Sequence, residues 1–288
     1  TMYGGWSSYI AGNKARGSHG GGGVFIDNDG TFIMYGEGII GNRAEDDGGG
    51  IYMRHSGTFD MKHGKIINNC ATSLAIDKRK PSGEGKGLYN DGNCYGGGVY
   101  MDDQATFTMT GGTIAGNMAD FTGGGVYVKA EGCTFTMDKG NAEITKNTAY
   151  FGGGVGVGAG TFVMGSENYD QAKHPKITNN KAHIGGGIGM RPYDYFNDYV
   201  YGDSSYLGSL RISGYAEISG NNATTEGGGI YLIGYYATGE IDGNAVISNN
   251  RAADGGGVFA AGGSVFKIED NAKISGNTAN HGGGVYVR

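Results

Sequence analysis

Apolar residues recur along this chain in short alternating runs. The stretch TFTMTGGTIAGNMADFTGGGVYV, residues 106–128, holds three such runs separated by Gly, Asn, Asp and Thr. Alternation with a period of two predicts half-buried strands, and the intervening residues are typical of tight turns. No segment shows the 3.6-residue spacing of a helix, so the pattern predicts an all-β chain.

This unit returns nine times. The tetrad GGG[VI] begins at Gly21, Gly48, Gly96, Gly123, Gly152, Gly185, Gly227, Gly255 and Gly282, in steps of 27, 48, 27, 29, 33, 42, 28 and 27 residues. An asparagine in the pattern I-x-x-N-x-A, or a close variant, precedes each tetrad: Asn13, Asn42, Asn69, Asn117, Asn147, Asn180, Asn221, Asn250 and Asn277. A fixed period near 27 residues indicates a repeat architecture.

A third column, T-F-x-M, completes the repeat. It comprises Phe32, Phe59, Phe107, Phe135 and Phe162 with Met34, Met61, Met109, Met137 and Met164, and then drifts to other apolar residues. One such unit cannot bury its apolar face alone, whereas coils stacked about 4.8 Å apart share a core. We therefore predict a right-handed single-stranded parallel β-helix of about nine to ten coils, three strands each, in one domain spanning 1–288.

The columns predict structural roles. Like residues stack on like residues, so Phe, Met and Val fill the interior. The repeated asparagines sit at an inward corner and form a ladder of amides. The glycines supply corners that need a positive φ or a close backbone approach. Phosphate binding by the triple glycine would require a following helix, which the pattern does not predict.

Composition excludes several classes of partner. The chain has 62 Gly, 3 Pro and a formal charge of −6, with only 17 % charged residues. These values give no basic surface for nucleic acid. No run of 18 apolar residues and no signal-peptide order occurs, so we expect no membrane insertion within this chain.

Three cysteines, Cys70, Cys94 and Cys133, are too few for a disulfide framework and lack metal-ligand spacing. Cys70 and Cys94 bracket the longest insertion, so a bridge closing that loop and free thiols are both open interpretations. We predict no metal and no cofactor.

Three insertions interrupt the repeat, at about 72–95, 165–175 and 191–209, and must leave the core as surface loops. The first two are polar and suggest no catalytic spacing. The third is rich in aromatic residues, namely Tyr193, Tyr195, Phe196, Tyr199, Tyr201 and Tyr206. Tyrosine-rich loops are adaptable contact surfaces.

The outward position of the tetrad strand is aromatic in most coils: Phe25, Tyr52, Tyr100, Tyr127, Tyr231, Phe259 and Tyr286. It becomes glycine at Gly156 and Gly189, so we expect the third insertion to fold back over these glycines. The column itself supports two interpretations. Rings such as Tyr100 and Tyr127 could stack on sugars, or they could stabilise the sheet by stacking on one another.

Clustered carboxylates are the residues that polysaccharide-cleaving β-helices use. We expect that the acids of this chain are not gathered on one column, and the six histidines are scattered. The acidic pairs are Asp27 with Asp29, Asp46 with Asp47, and Asp102 with Asp103. No order of Ser, His and acid predicts a nucleophile. We therefore expect no enzyme.

The pairing of GGG[VI] with I-x-x-N resembles the GGA[ILV] and F-x-x-N repeats of the chlamydial polymorphic membrane proteins. It resembles still more closely the glycine-rich adhesin-like repeat proteins of bacterial and archaeal surfaces. The resemblance covers nearly all of the chain and implies a β-helical domain displayed outside the cell for adhesion. Glycine replaces alanine and isoleucine replaces phenylalanine, and no translocator barrel follows.

The repeat runs to both ends without a polar cap, which predicts a fragment of a longer helix or copies that stack end to end. We therefore predict an extracellular stalk, adhesin or filament subunit, with self-association or a surface glycan or protein as partner. The alternative is a carbohydrate-binding or polysaccharide-cleaving module that uses the loop from Tyr193 to Tyr206.

Overall fold

The computed structural model describes residues 8–17, 19–73, 94–138, 140–165, 174–191 and 208–288, and every regular element among them is a β-strand. All strand pairs are parallel, and the chain winds into a β-solenoid of about eight turns. The all-β parallel fold predicted from the repeat is confirmed. The number of turns is lower than nine to ten because nine stacked strands enclose eight turns. The right-handed winding stays a prediction.

Each turn contributes strands to three long sheets, and six corners carry a further short strand, an element beyond the three predicted. The I-x-x-N sheet comprises Tyr9–Ala11, Gly38–Ile40, Lys65–Ile67, Thr113–Ala115, Glu143–Thr145, Lys176–Thr178, Glu217–Ser219, Val246–Ser248 and Lys273–Ser275. The corner strands are Lys14–Ala15, Arg43–Ala44, Cys70–Ala71, Met118–Ala119, Lys181–Ile184 and Asn222–Glu226. At the other described corners the residue after the ladder asparagine forms isolated bridges instead, at Thr148, Arg251 and Thr278.

The other two sheets complete the turn. The tetrad sheet comprises Val24–Ile26, Ile51–Met53, Val99–Met101, Val126–Val128, Val155–Val157, Ile188–Met190, Ile230–Ile233, Val258–Ala261 and Val285–Val287. The T-F-x-M sheet comprises Thr31–Met34, Thr58–Met61, Thr106–Met109, Thr134–Met137, Thr161–Met164, Ser209–Ile212, Thr238–Ile241 and Val265–Ile268. The three long sheets keep their register across the insertions. The corner pair Lys181–Ile184 and Asn222–Glu226, on either side of the third insertion, has a register shift after Ala182.

Like residues stack on like residues in the interior. Phe107 pairs with Phe59 on one side and Phe135 on the other, with ring centroids 4.6 Å apart in both contacts. These three rings are fully buried. Burial of apolar area stabilises the fold by about 25 cal/mol per Å², and here it is repeated at every coil instead of being concentrated in one centre.

The nine repeated asparagines lie in one file at the corner after the I-x-x-N sheet. In the first eight, the side-chain Nδ2 donates to the Oδ1 of the next asparagine along the chain, at 2.9 to 3.1 Å. The same Oδ1 also accepts the backbone N–H of the preceding asparagine, as in Asn147 N–H to Asn180. Seven of the nine are at most 1 % exposed, from Asn42 to Asn250, and their polar atoms are bonded as buried amides require.

The tetrad glycines serve the two predicted purposes. The first glycine of every tetrad has a positive φ, between 61° and 91°, a conformation that L side chains rarely adopt. The second glycine allows a close approach between coils: a Cβ on Gly49 would lie 2.5 Å from the carbonyl oxygen of Gly97. The tetrad is therefore explained by the path of the backbone.

Candidate functional site

Tyr100 and Tyr127, two of the residues considered for contact with a sugar, are only 2 % and 5 % exposed. Tyr52 stacks on Tyr100 at 4.8 Å, and Tyr95 stacks on Tyr127 at 5.2 Å. The Tyr100 hydroxyl donates to Asp102 at 3.2 Å, and burial raises the pKa of Tyr100 above its ordinary value. These contacts favour the interpretation in which the column stabilises the sheet. The other six candidates, Tyr193, Tyr195, Phe196, Tyr199, Tyr201 and Tyr206, lie outside the described residues.

The two glycines that interrupt the aromatic column are buried. A Cβ on Gly189 would lie 2.8 Å from the Phe151 ring, and one on Gly156 would meet the methyl group of Thr122 at 2.3 Å. Phe151 is 5 % exposed and meets the ring of Tyr231 edge-on at 5.6 Å. The missing ring at Gly189 is therefore replaced by Phe151 from the neighbouring corner. The expected contribution of the third insertion falls outside the described residues.

A second aromatic row lies two residues before the tetrads, and the sequence analysis missed it. Phe121 stacks on Tyr150 at 5.7 Å, and Tyr150 lies 4.8 Å from His183. Tyr95 meets Phe121 edge-on at 5.6 Å. A fixed offset from each tetrad would have found the row, because the register of neighbouring coils is constant.

Tyr235 and Tyr236 are the most exposed pair of adjacent aromatic residues among those described, at 76 % and 49 %. They lie in the turn between the tetrad strand Ile230–Ile233 and the strand Thr238–Ile241, with ring centroids 5.3 Å apart. The neighbouring coil offers only glycine beneath Tyr235, since a Cβ on Gly263 would lie 2.9 Å from its ring. Sequence analysis missed this pair because it lies outside the insertions.

The structure brings together carboxylates that the sequence analysis kept apart. Asp27 and Asp102 follow tetrad strands that align with one another, and Arg54 lies between them in the same column. Arg54 Nη2 lies 3.0 Å from Asp27, and Lys129 Nζ lies 2.6 Å from Asp102. The expectation that these acids do not share a column is therefore wrong for Asp27 and Asp102. Each lies six residues after the first glycine of its tetrad, and the 48-residue step between Gly48 and Gly96 makes this equal position hard to see in the sequence. Asp46 and Asp47 lie on a different corner.

The charges in this column are paired from coil to coil. The hydrogen bond from Arg54 lowers the pKa of Asp27 to about 2, and a contact from His55 contributes in the same direction. Asp27 is therefore an anion over the physiological range. It serves poorly as a proton donor, because a general acid needs a pKa near the working pH.

The turns that follow the tetrad strands line a shallow polar depression, open to solvent, with a volume of about 550 Å³. Its lining comprises Asn28, Asp29, His55, Ser56, Asp103, Gln104 and Glu131. Within the described part of the chain, no three His, Cys, Asp or Glu residues are placed to hold a metal ion. The depression offers hydrogen-bonding groups of mixed type around one imidazole.

Asp47 is the most unusual titratable group at the corner before a tetrad. Its side chain accepts the backbone N–H of Tyr95 at 2.9 Å, and the residue is 8 % exposed. Burial, followed by repulsion from Asp46, raises the pKa of Asp47 to about 8. Cys70, Cys94 and Cys133 form no disulfide, so the bridge considered between the first two is not present. Burial raises the pKa of Cys70 and Cys133 to about 11, which makes both poor nucleophiles at neutral pH.

Comparisons with protein-family models, curated proteins and solved structures give no match to this chain. The resemblance to adhesin-like and chlamydial repeats therefore stays a prediction, and the β-solenoid fold is what is shown. No helix among the described residues is long and apolar enough to cross a membrane.

Proposed function

We propose that this chain is a rigid structural rod displayed outside the cell, as a stalk, an adhesin or the subunit of a filament. One observation carries the proposal: the file of nine asparagines is unbroken, even where insertions separate neighbours by 48 and 41 residues. Across both insertions the amide bonds have the same partners and nearly the same lengths as between uninterrupted coils. Such constant bonding along the stack suits a molecule whose length and stiffness are its function.

The hydrogen bonds also give the rod a direction. Each ladder amide donates to the coil that follows it, as Asn117 does to Asn147 and Asn147 to Asn180. A coil added to the stack, from the same chain or from another copy, would continue these bonds only in a head-to-tail orientation. This property supports linear assembly and disfavours a two-fold symmetric dimer.

Electron microscopy and small-angle X-ray scattering of the purified chain test the rod. Nine strands at about 4.8 Å give a shaft of about 40 Å for this chain, and head-to-tail association would give fibres with that repeat. A globular chain of this length has a radius of gyration of about 19 Å, so the size of the monomer alone does not identify a rod. Chains that stay monomeric at high concentration and give no fibres would contradict linear assembly. Exposure outside the cell requires a separate test, in which protease treatment of intact source cells should release peptides of this chain and leave cytosolic markers uncut.

A second candidate function is contact with a neutral glycan through Tyr235 and Tyr236. Their exposure favours it, because tyrosine presents an apolar face and a hydroxyl group, and this combination suits a sugar ring. Among the described residues, the adjoining turn supplies Gly262, Gly263 and Ser264, so a neutral ligand meets no charge there.

Glycan-array binding by the wild type and by a double Tyr235→Ala, Tyr236→Ala variant tests this candidate. We expect at least a tenfold loss of binding in the variant if these rings hold the sugar. Tyr9→Ala is the matched control, since Tyr9 is 65 % exposed on a different sheet. Equal binding by all three proteins would exclude the site, and release of reducing sugars from the array ligands would identify the cleaving alternative.

A further inference from the structure

His55 stands between carboxylates of the coils before and after its own. It occupies the turn after the tetrad strand Ile51–Met53, with φ 47°. Its Nδ1 lies 2.7 Å from Asp27 Oδ1, and its Nε2 lies 3.3 Å from Asp103 Oδ2. One imidazole thus spans three successive coils.

The chemistry of the two ring nitrogens differs between the protonation states. An ionised carboxylate only accepts hydrogen bonds, and a neutral imidazole carries a single N–H. A neutral ring that donates from Nδ1 to Asp27 therefore turns the lone pair of Nε2 towards Asp103, which is repulsive. Protonation converts that contact into an ion pair and keeps the first one, so only the imidazolium is attracted to both neighbours.

We propose that His55 is a proton-dependent clamp that ties three coils together when its ring is protonated. The proposal goes beyond the rod function and does not depend on any partner. The clamp joins two coils that the longest insertion, at 72–95, separates in sequence: His55 precedes the insertion and Asp103 follows it. Backbone bonds run alongside, from Ser56 N–H to Asp103 O and from Asp29 N–H to His55 O.

The other charges around the ring are consistent with this role. Asp29 and Glu131 line the same depression, and neither forms an ion pair with another described residue. Of the nearby cations, Arg54 is engaged by Asp27, and Lys129 is engaged by Asp102. An imidazolium at position 55 thus enters a group of carboxylates that these two cations neutralise only in part.

The sign of the pH effect follows directly. The favourable contact between Nε2 and Asp103 needs the proton on the ring, so it is present at mildly acidic pH and lost as the ring deprotonates. Histidine is the side chain that changes charge between about pH 5 and 8. We therefore expect the turns at His55 and Asp103 to be held more tightly in weakly acidic surroundings.

Nitrogen-15 NMR of the histidine rings tests the clamp in the intact chain. We expect both ring nitrogens of His55 to keep the imidazolium signature to a higher pH in the wild type than in Asp103→Asn, which removes the second carboxylate without changing its size. His63→Gln is the matched control, because His63 is exposed and has no ion pair to any described residue, and it should leave the His55 signals unchanged. Identical His55 signals in the wild type and in Asp103→Asn at every pH would overturn the proposal.

Thermal unfolding gives an independent measurement. All groups of the clamp are partly exposed to solvent, so the shift is small: we expect the wild type to gain about 1–2 °C over His55→Gln at pH 5.5, and nothing at pH 8.5. His63→Gln should follow the wild type at both pH values. A loss in His55→Gln that is equal at both pH values would show that the ring only packs, and would contradict the clamp.

Discussion

Two files of stacked side chains run along the solenoid, one inside the corner and one outside the tetrad sheet, and they differ in how strictly their residue type is kept. The inner file is asparagine in all nine repeats. The outer file is aromatic in seven and becomes glycine at Gly156 and Gly189. The inner position therefore requires one particular side chain with its hydrogen-bonding groups, whereas the outer position requires only that the space be filled.

The inner position admits no substitute because each amide completes the bonds of its neighbours. Asn180 accepts from the Asn147 backbone and side chain and donates to Ile144 O and Asn221 Oδ1. No other uncharged side chain supplies both the acceptor and the two donors in that shape. The outer position needs only apolar contact, and a ring from another column can provide it, as Phe151 does over Gly189.

The largest expected effect is therefore the loss of a single inner amide. Asn180→Ala removes four hydrogen bonds from a fully buried position. The Asn147 backbone N–H loses its acceptor, and the Asn147 amide, Ile144 O and Asn221 Oδ1 each lose one bond. Each unsatisfied buried group costs about 1–3 kcal/mol, so we expect the free energy of unfolding to fall by about 4 kcal/mol. Urea unfolding followed by circular dichroism measures the loss.

The neighbouring residue provides a matched control for this experiment. Asn179 is exposed and has φ 56°, so Asn179→Gly removes an amide while relieving the backbone. We expect a change of less than about 0.5 kcal/mol. Similar losses in both variants would mean that the ladder bonds are not what distinguishes the inner file.

The next effect concerns the ring that completes the outer file. Phe151→Ala would open a cavity between Gly189 and Tyr231, and phenylalanine-to-alanine changes in cores cost about 3–5 kcal/mol. The site lies near the surface, so we expect about 3 kcal/mol, measured by thermal and urea unfolding. Phe151→Leu should restore about half of the loss, because this file needs volume and not a particular chemistry.

A half-exposed ring of the second aromatic row serves for comparison with Phe151. Phe121→Ala removes the same side chain from a less buried position, and the loss should be clearly smaller. If Phe151→Ala costs no more than Phe121→Ala, the ring at position 151 does not replace the missing column.

Spacing alone was enough to predict the parts of the fold that repeat. The asparagine, tetrad and T-F-x-M columns each recur once per coil, so alignment of the columns predicts which residues stack. The role of Phe151 could not be predicted in this way, because its ring fills the space at Gly189, a position of a different column. The contact of His55 with Asp103 escaped it because insertion 72–95 separates them in sequence, although both residues have the same offset from their tetrads.

Burial and chemistry at single positions were also beyond the pattern. The outward aromatic column could be assigned from alternation, but alternation does not predict that its middle rings are buried while Phe25 is exposed. Tyr95 packs on Tyr127, and Phe151 packs on Tyr231. The exposure of Tyr235 and Tyr236 depends in turn on the glycines of the next coil. A repeat predicts which residues are neighbours, whereas side-chain coverage depends on the residues that break the repeat.

The smallest effect concerns Asp47, a buried carboxyl group that has fewer hydrogen bonds than the ladder amides. Burial raises the pKa of Asp47 to about 8 from an ordinary value of 3.8, so between these values the folded chain holds a proton that the unfolded chain has released. Stability should therefore fall as pH rises through this range, by about 2 kcal/mol for a group that is not completely enclosed. Unfolding measured from pH 5 to 9 should show this decline in the wild type and in the exposed control Glu269→Gln, whereas Asp47→Asn should keep only the small part that depends on His55. A decline that persists in full in Asp47→Asn would place its origin at another group. Loss of most of the decline would show that a buried side chain outside the amide file remains sensitive to the proton it carries.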